Sequence, residues 1–241
     1  MKKLTPFIIV LAVMAAAVFT LQSFEVKTVP ITGTEVNIQA FKTLNIDVPF
    51  DVYFTQGATA SANVEGDKTE VDKLAFIQKG NDLTIRFKDK EKAAKGSNLK
   101  IYITCPELEN VNISGSGNFY TTAPVSNSKS LNFAIAGSGN IVAGVTAPKI
   151  QVDIAGSGDA EITGKSEKVY VSIAGSGDYE GNALIANDVD VDIAGSGNAF
   201  VYAEDKVDAS IAGSGDVYYS GTPESVTADV AGSGNVRPHK Q

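Results

Sequence analysis

The chain has 241 residues, 43% of them hydrophobic and 23 of them glycine, enough for one or two packed domains. Its formal net charge of −8 sits in the second half, since residues 109–241 carry 16 acidic and 7 basic side chains and residues 24–108 carry 12 and 11. That balance speaks against nucleic acid and anionic membrane surfaces as partners, because phosphate contacts need Lys and Arg. A single His239 and a single Cys105 leave no Ser-His-Asp triad, no His-based metal site and no internal disulfide.

The amino terminus reads as a targeting segment. Lys2 and Lys3 precede an apolar run from Phe7 to Phe19, which is short for a membrane span. Small residues from Ala15 to Ser23 offer cleavage positions, so residues 1–23 read as a signal peptide, with an uncleaved anchor as the alternative. Residues 24–40 are a leader or linker. From Phe41 a period of two appears. Leu44, Ile46 and Val48 alternate with polar residues, and Val52 and Phe54 alternate with Asp51, Tyr53 and Thr55. These are half-buried strands. Asp67 is placed to cap a short helix with Val71, Leu74 and Ala75 on one face. Leu83, Ile85 and Phe87 make a further strand, Lys88 to Ser97 an exposed loop, and Leu99 to Cys105 a strong strand ended by Pro106. The alternation places Cys105 inside as a structural thiol. Residues 41–108 are expected to cover the open end of a repeat that begins at Glu109.

The repeat is marked by a four-residue turn written seven times. Gly-Ser-Gly is followed by Asn or Asp at Gly115, Gly117 and Asn118, at Gly137, Gly139 and Asn140, and at Gly156, Gly158 and Asp159. It recurs at Gly175, Gly177 and Asp178, at Gly195, Gly197 and Asn198, at Gly213, Gly215 and Asp216, and at Gly232, Gly234 and Asn235. The spacings are 22, 19, 19, 20, 18 and 19 residues, the period of a solenoid. Two residues before each turn stand Ile113, Ile135, Ile154, Ile173, Ile193, Ile211 and Val230. Columns four and six residues before it are apolar too, and those between are polar. Side chains alternate faces along a strand, so the apolar columns point inward. A second break comes at Gly144, Gly164, Gly181-Asn182 or Gly221. The expected fold is all-β: a single-stranded β-helix over residues 109–237, about 19 residues per coil and nearer in coil length to right-handed β-helices, with a tail at 238–241. Six intervals of ~4.8 Å give a body about 29 Å long.

The turn itself has a structural explanation. Gly supplies φ > 0 without steric cost, and Asn or Asp bonds to nearby backbone amides in the manner of an Asx-turn or stacks as a ladder between coils. The Ser column, Ser116 through Ser233, is placed for a hydroxyl ladder. A phosphate loop would need a helix after it and a Lys, and here a strand comes next. The calcium repeat of toxins has a period of nine and more regular Asp. A structural corner is preferred, with calcium the weaker reading and no other cofactor indicated.

Catalytic signals are sparse. Asp159 and Asp178 share a column in adjacent coils, as a glycosidase pair would, and Asp153 and Asp192 share another two coils apart. The loop insertions that build clefts between coils are missing, so these carboxylates read as a solvated face. Tyr120, Tyr179, Phe200, Tyr202, Tyr218 and Tyr219 fill corners and surface, or form a sugar-stacking or protein-contact stripe.

Strands, then Pro106-Glu107-Leu108, then Gly-Ser-Gly-Asn/Asp turns closing with Gly234-Asn235-Val236-Arg237, resemble the putative autotransporter adhesin head GIN domain, a domain of unknown function in exported proteins of Bacteroidetes-type bacteria. The resemblance spans about 41–237. It implies an exported β-helical domain with an adhesive role and carries no catalytic residues. The resulting expectation is a non-enzymatic protein of the periplasm, cell envelope or exterior, with no transmembrane domain in the mature chain. Its partner is an envelope protein, a polysaccharide or itself. The alternative is a carbohydrate-active β-helix enzyme using the stacked carboxylates.

Overall fold

In a computed structural model, residues 33–88, 92 and 97–239 are described. The targeting segment expected at residues 1–23 lies outside them, as does most of the loop expected between Lys88 and Ser97.

The Gly-Ser-Gly corners, set among period-two segments, account for about seven turns of a β-solenoid. Each coil begins with the strand that precedes a corner. Those strands stack in parallel and in register through β8 (Asn110–Gly115), β11 (Ser130–Gly137), β12 (Ile141–Gly156), β13 (Ala160–Gly175), β14 (Tyr179–Gly195), β15 (Ala199–Gly213) and β17 (Ser225–Gly232). Ile113, Ile135, Ile154, Ile173, Ile193 and Ile211 lie above one another in the first sheet, each no more than 2% exposed. Full burial of such a side chain contributes about 1.5–3 kcal/mol, so the repeated column is a main source of cohesion.

After the corner the chain enters a second sheet. It includes β9 (Asn118–Thr121), the first halves of β12 to β15, β16 (Val217–Gly221) and β18 (Val236–Pro238). The expected second break ends a strand at Gly221, where β16 stops with φ of 91°, but not at Gly144, Gly164 or Gly181-Asn182. β12 to β15 run on for 15 to 17 residues, bending into a narrow third face that starts at β10 (Val125–Ser126) and carries Val145, Gly164 and Leu184. Gly164 makes that bend with φ of 126°.

The first half of the chain belongs to the same stack but not in chain order. β2 (Thr43–Asp47) and β3 (Asp51–Gln56) form one coil, and β6 (Asp82–Phe87) and β7 (Lys100–Cys105) form another. β2 lies between β6 and β8, and β3 lies between β7 and β9. The earlier coil in sequence is therefore the inner one in space. Antiparallel strands cover the outer one: β5 (Leu74–Lys79) on β6, and β4 (Ser61–Glu65) on β7, with β1 (Thr34–Val36) on β4. The expected helix is one turn, α1 (Lys68–Val71), with the Asp67 side chain accepting from the Thr69 backbone N–H at 2.7 Å. Leu74 and Ala75, expected on its face, are in β5 instead, because pairing with β6 offers them a full ladder. Cys105 is fully buried, where Sγ accepts from the Phe41 N–H at 3.4 Å and donates to its carbonyl at 3.2 Å.

Candidate binding surface

The corners repeat one set of contacts from coil to coil and are consumed by them. Ser157 and Gly158 donate their backbone N–H groups to the Gly137 carbonyl at 2.9 and 3.2 Å, and the pattern recurs at every later corner. Gly156 has φ of 132°, and a Cβ there would stand 2.2 Å from the Gly137 oxygen. At Gly158 a Cβ would be 2.0 Å from the Gly139 oxygen. No side chain fits between the coils at either place.

The Asn/Asp column reaches the next coil rather than closing an Asx-turn in its own. Oδ1 of Asn118, Asn140, Asp159, Asp178, Asn198 and Asp216 accepts the backbone N–H of the residue one coil on, at 2.7 to 3.1 Å. Asn118 extends the ladder down to Asp51, donating from Nδ2 at 2.8 Å. The expected serine ladder does not form, since no hydrogen bond joins successive corner serines among the described residues. Their backbone amides make the inter-coil bonds instead. With these Oδ1 atoms engaged, Asp159 and Asp178 each keep a second oxygen free of the backbone ladder, whereas Oδ2 of Asp216 accepts from Tyr218 and Arg237. Among the described residues no group of three or more His, Cys, Asp or Glu is placed to hold a metal.

Two residues beyond the Asn/Asp column lies a different surface. Side chains there point outward from the second sheet and run in register as Tyr102, Tyr53, Tyr120, Val142, Glu161, Glu180, Phe200, Tyr218 and Arg237. Nine rungs at ~4.8 Å span about 38 Å. The rings stack on one another: Tyr53 lies 5.2 Å from Tyr102 and 5.2 Å from Tyr120, and Phe200 lies 4.7 Å from Tyr218 at 6° between planes. Such stacking covers most ring faces and turns edges and hydroxyls toward solvent. Open faces remain on Tyr120 toward Val142 and on Phe200 toward Glu180.

The carboxyl end of this column is fastened. The Arg237 guanidinium stands 4.7 Å over the Tyr218 ring and donates to Asp216 Oδ2 at 2.8 Å. The Tyr218 hydroxyl donates to the same carboxylate at 3.0 Å, and His239 sets its ring at near right angles to Phe200 and Tyr218. The hydrogen bonds from Asn235, with help from Tyr218 and Arg237, hold the Asp216 carboxyl below the usual range. The middle of the column is acidic. Partial burial, then the Asp178 and Glu161 charges, pushes the Glu180 carboxyl up, with Asp159 adding to the effect and His239 opposing it. Among the described residues none of Asp159, Glu161, Asp178 and Glu180 has an ion-pair partner.

The sequence reading of the aromatics needs correction at two places. Tyr179 is not on the surface but fully buried, in the inward column of Ile141, Ala160, Ala199 and Val217, with its ring lying where a Cβ at Gly181 would stand. Its hydroxyl has no hydrogen-bond partner in the structure. Tyr219 packs partly buried against the core. Conversely, Tyr53 and Tyr102 belong to the outward stripe, and only their alternation with Val52, Phe54, Ile101 and Ile103 pointed to it. Asp153 and Asp192 share an outer column of the first sheet with Ser172 between them. The surface depressions around Lys42 and Glu109, around Thr146 and Ile185, and around Lys168 and Asp190 lie away from Asp159 and Asp178.

A family model described as "Putative auto-transporter adhesin, head GIN domain" matches residues 40–223. A crystal structure of a protein described as a putative adhesin, from Bacteroides fragilis, superposes with a TM-score of 0.82 at 23% identity, covering 86% of this chain and 96% of that one. A protein from Parabacteroides distasonis described as a putative lipid binding protein gives 0.70 at 27% identity over 86% and 96%. A putative adhesin from Parabacteroides merdae gives 0.68 at 21% identity over 87% and 96%. No curated protein matches the chain.

Proposed function

We propose that this chain, which belongs to the head GIN domain family, is a non-enzymatic adhesin-like module of the cell envelope or exterior. Its contact face is the outward stripe of the second sheet, and its partner is an extended polar polymer, a polysaccharide in the first instance. The observation that carries the reading is the unbroken outward column from Tyr102 to Arg237. It is regular and flanked by the Asn/Asp ladder, so it is organised before a partner arrives. Tyr hydroxyls, ring edges and carboxylates repeat at the strand spacing, which suits a chain lying along the solenoid axis. Family membership and the descriptions of its structural neighbours support adhesion as the class of activity. Among the described residues no helix is long and apolar enough to cross a membrane.

The enzymatic alternative fits less well. Asp159 and Asp178 stand on an open face, and each has an oxygen committed to the backbone of the next coil. A lipid partner, as in the description of the Parabacteroides distasonis neighbour, would meet the Glu161 and Glu180 carboxylates at the centre of the stripe. The test is retention on a panel of immobilised polysaccharides and extracellular matrix proteins. Wild type is compared with Phe200→Ser/Tyr218→Ser and with Asp153→Ser/Asp192→Ser on the first sheet. The reading expects the first pair to lose binding at least tenfold and the second to keep it. Loss confined to the first-sheet pair would place the contact face elsewhere. Shortening of a retained glycan by wild type but not by Asp159→Asn/Asp178→Asn would establish the enzyme instead.

A further inference from the structure

The two ends of the described solenoid are finished differently. At the amino-terminal end, α1 and the antiparallel strands β4 and β5 lie over the outer coil, and Val71 of α1 and Leu74 of β5 are buried. At the other end the last strand of the first sheet, β17, is exposed along its whole length. Its side chains Val226, Ala228 and Val230 continue columns that are buried in the coil beneath, at Val207, Ala209 and Ile211. Val226 is 41% exposed and Val230 38%. Among the described residues the register pairs β17 with β15 alone, while β18 pairs with β16, so the edge of β17 away from β15 is left without a strand. An unpaired eight-residue strand with an apolar inner column is a template for another strand.

We infer that the occupant is a second copy of the chain, joined end to end through β17 about a two-fold axis at Ala228. The column is its own complement. In an antiparallel pair centred on Ala228, Val226 lies opposite Val230 of the other copy, Ala228 opposite Ala228, and Thr227 opposite Asp229. Every apolar side chain stays on the inner face, the register that strand alternation demands. Asp229 meets a hydroxyl rather than a like charge. Head-to-tail stacking is disfavoured, because β17 would meet the antiparallel cover of the other end. An isologous joint closes at two copies, whereas head-to-tail contact would grow a filament. The joint lies at the end of the stack, so it leaves both outward stripes free, and it does not depend on what they bind.

Sedimentation equilibrium of the purified full chain tests this, together with two kinds of variant. The wild type is expected to dimerise with concentration, and Val226→Glu/Val230→Glu to be monomeric with an unchanged circular dichroism spectrum. Ala228→Cys is expected to form a disulfide-linked dimer on mild oxidation, since facing Cα atoms in an antiparallel pair lie ~4.5–5.5 Å apart, within disulfide reach. Val226→Cys is expected not to link, being four residues from its counterpart across the axis. Cys105, fully buried, does not compete. A wild type monomeric at every concentration, a dimer that survives Val226→Glu/Val230→Glu, open-ended polymers, or equal linking by the two cysteine variants would each overturn the proposal.

Discussion

Replacing Gly156 by Ala probes the corner directly, with Gly144→Ala as its companion. At Gly156 the backbone φ is 132°, and the added Cβ would sit 2.2 Å from the Gly137 oxygen. Holding a non-glycine residue in that region costs about 1–3 kcal/mol. Relieving the overlap means prising two coils apart against in-register ladders, an overpacking cost of about 1–3 kcal/mol. Together they come to about 2–6 kcal/mol, a large part of the ~5–15 kcal/mol that holds a domain folded. At Gly144 the nearest atom to an added Cβ is Pro124 Cα at 3.6 Å, and φ is not in the positive range. There the loss of unfolded-state freedom makes Ala neutral to stabilising, by up to about 1 kcal/mol. Urea denaturation followed by circular dichroism reads both. Gly156→Ala should shift the midpoint strongly down and Gly144→Ala hardly at all. Equal midpoints for the two variants would refute the claim that close coil approach, rather than glycine content, explains the motif.

Three further outcomes are expected. Tyr179→Phe removes a buried hydroxyl without a partner and should raise stability by about 1 kcal/mol, visible as a higher melting temperature; a fall would mean that the hydroxyl is satisfied in solution. Glu180 has its carboxyl pushed up by burial and by Asp178 and Glu161, so its contribution to stability is full below about pH 4 and is lost as pH rises through its folded-state value. Glu180→Gln should therefore be more stable than wild type at pH 7 and indistinguishable from it at about pH 3.5, and a difference independent of pH would remove that cause. A chelator should leave the melting temperature unchanged, because the turn carboxylates are tied to backbone amides; a drop of several degrees would restore the calcium reading.

The solenoid is legible in the sequence because its signals are local and repeated. A corner at fixed spacing and Ile two residues before it specify both the coil and its inward face. The order of the first coils is not legible. Leu44-Asn45-Ile46 and Leu83-Thr84-Ile85 have the same alternation, and nothing in a period of two says that β2 lies inside β6. Pairing is decided by which arrangement lets β4 and β5 cover an end. The binding stripe is half legible. Tyr120, Phe200 and Tyr218 lie two residues past the Asn/Asp column and can be counted outward. Tyr53 and Tyr102 join them only through the interleaved coils. Tyr179 lies one residue past that column and faces inward, so the parity of the strand, rather than its aromatic character, decides its place.

The central claim is that partners bind along the outward face of the second sheet. It is tested most directly by labelling a cysteine introduced at Val142, in the middle of the column and 37% exposed, with a thiol reagent in the presence of whichever polysaccharide or protein the panel retains. Gln151→Cys, on the outer face of the first sheet, serves as the reference. Labelling at position 142 is predicted to slow with ligand concentration while labelling at 151 is unchanged. Slowing at 151 alone, with 142 unaffected at saturation, would contradict the account.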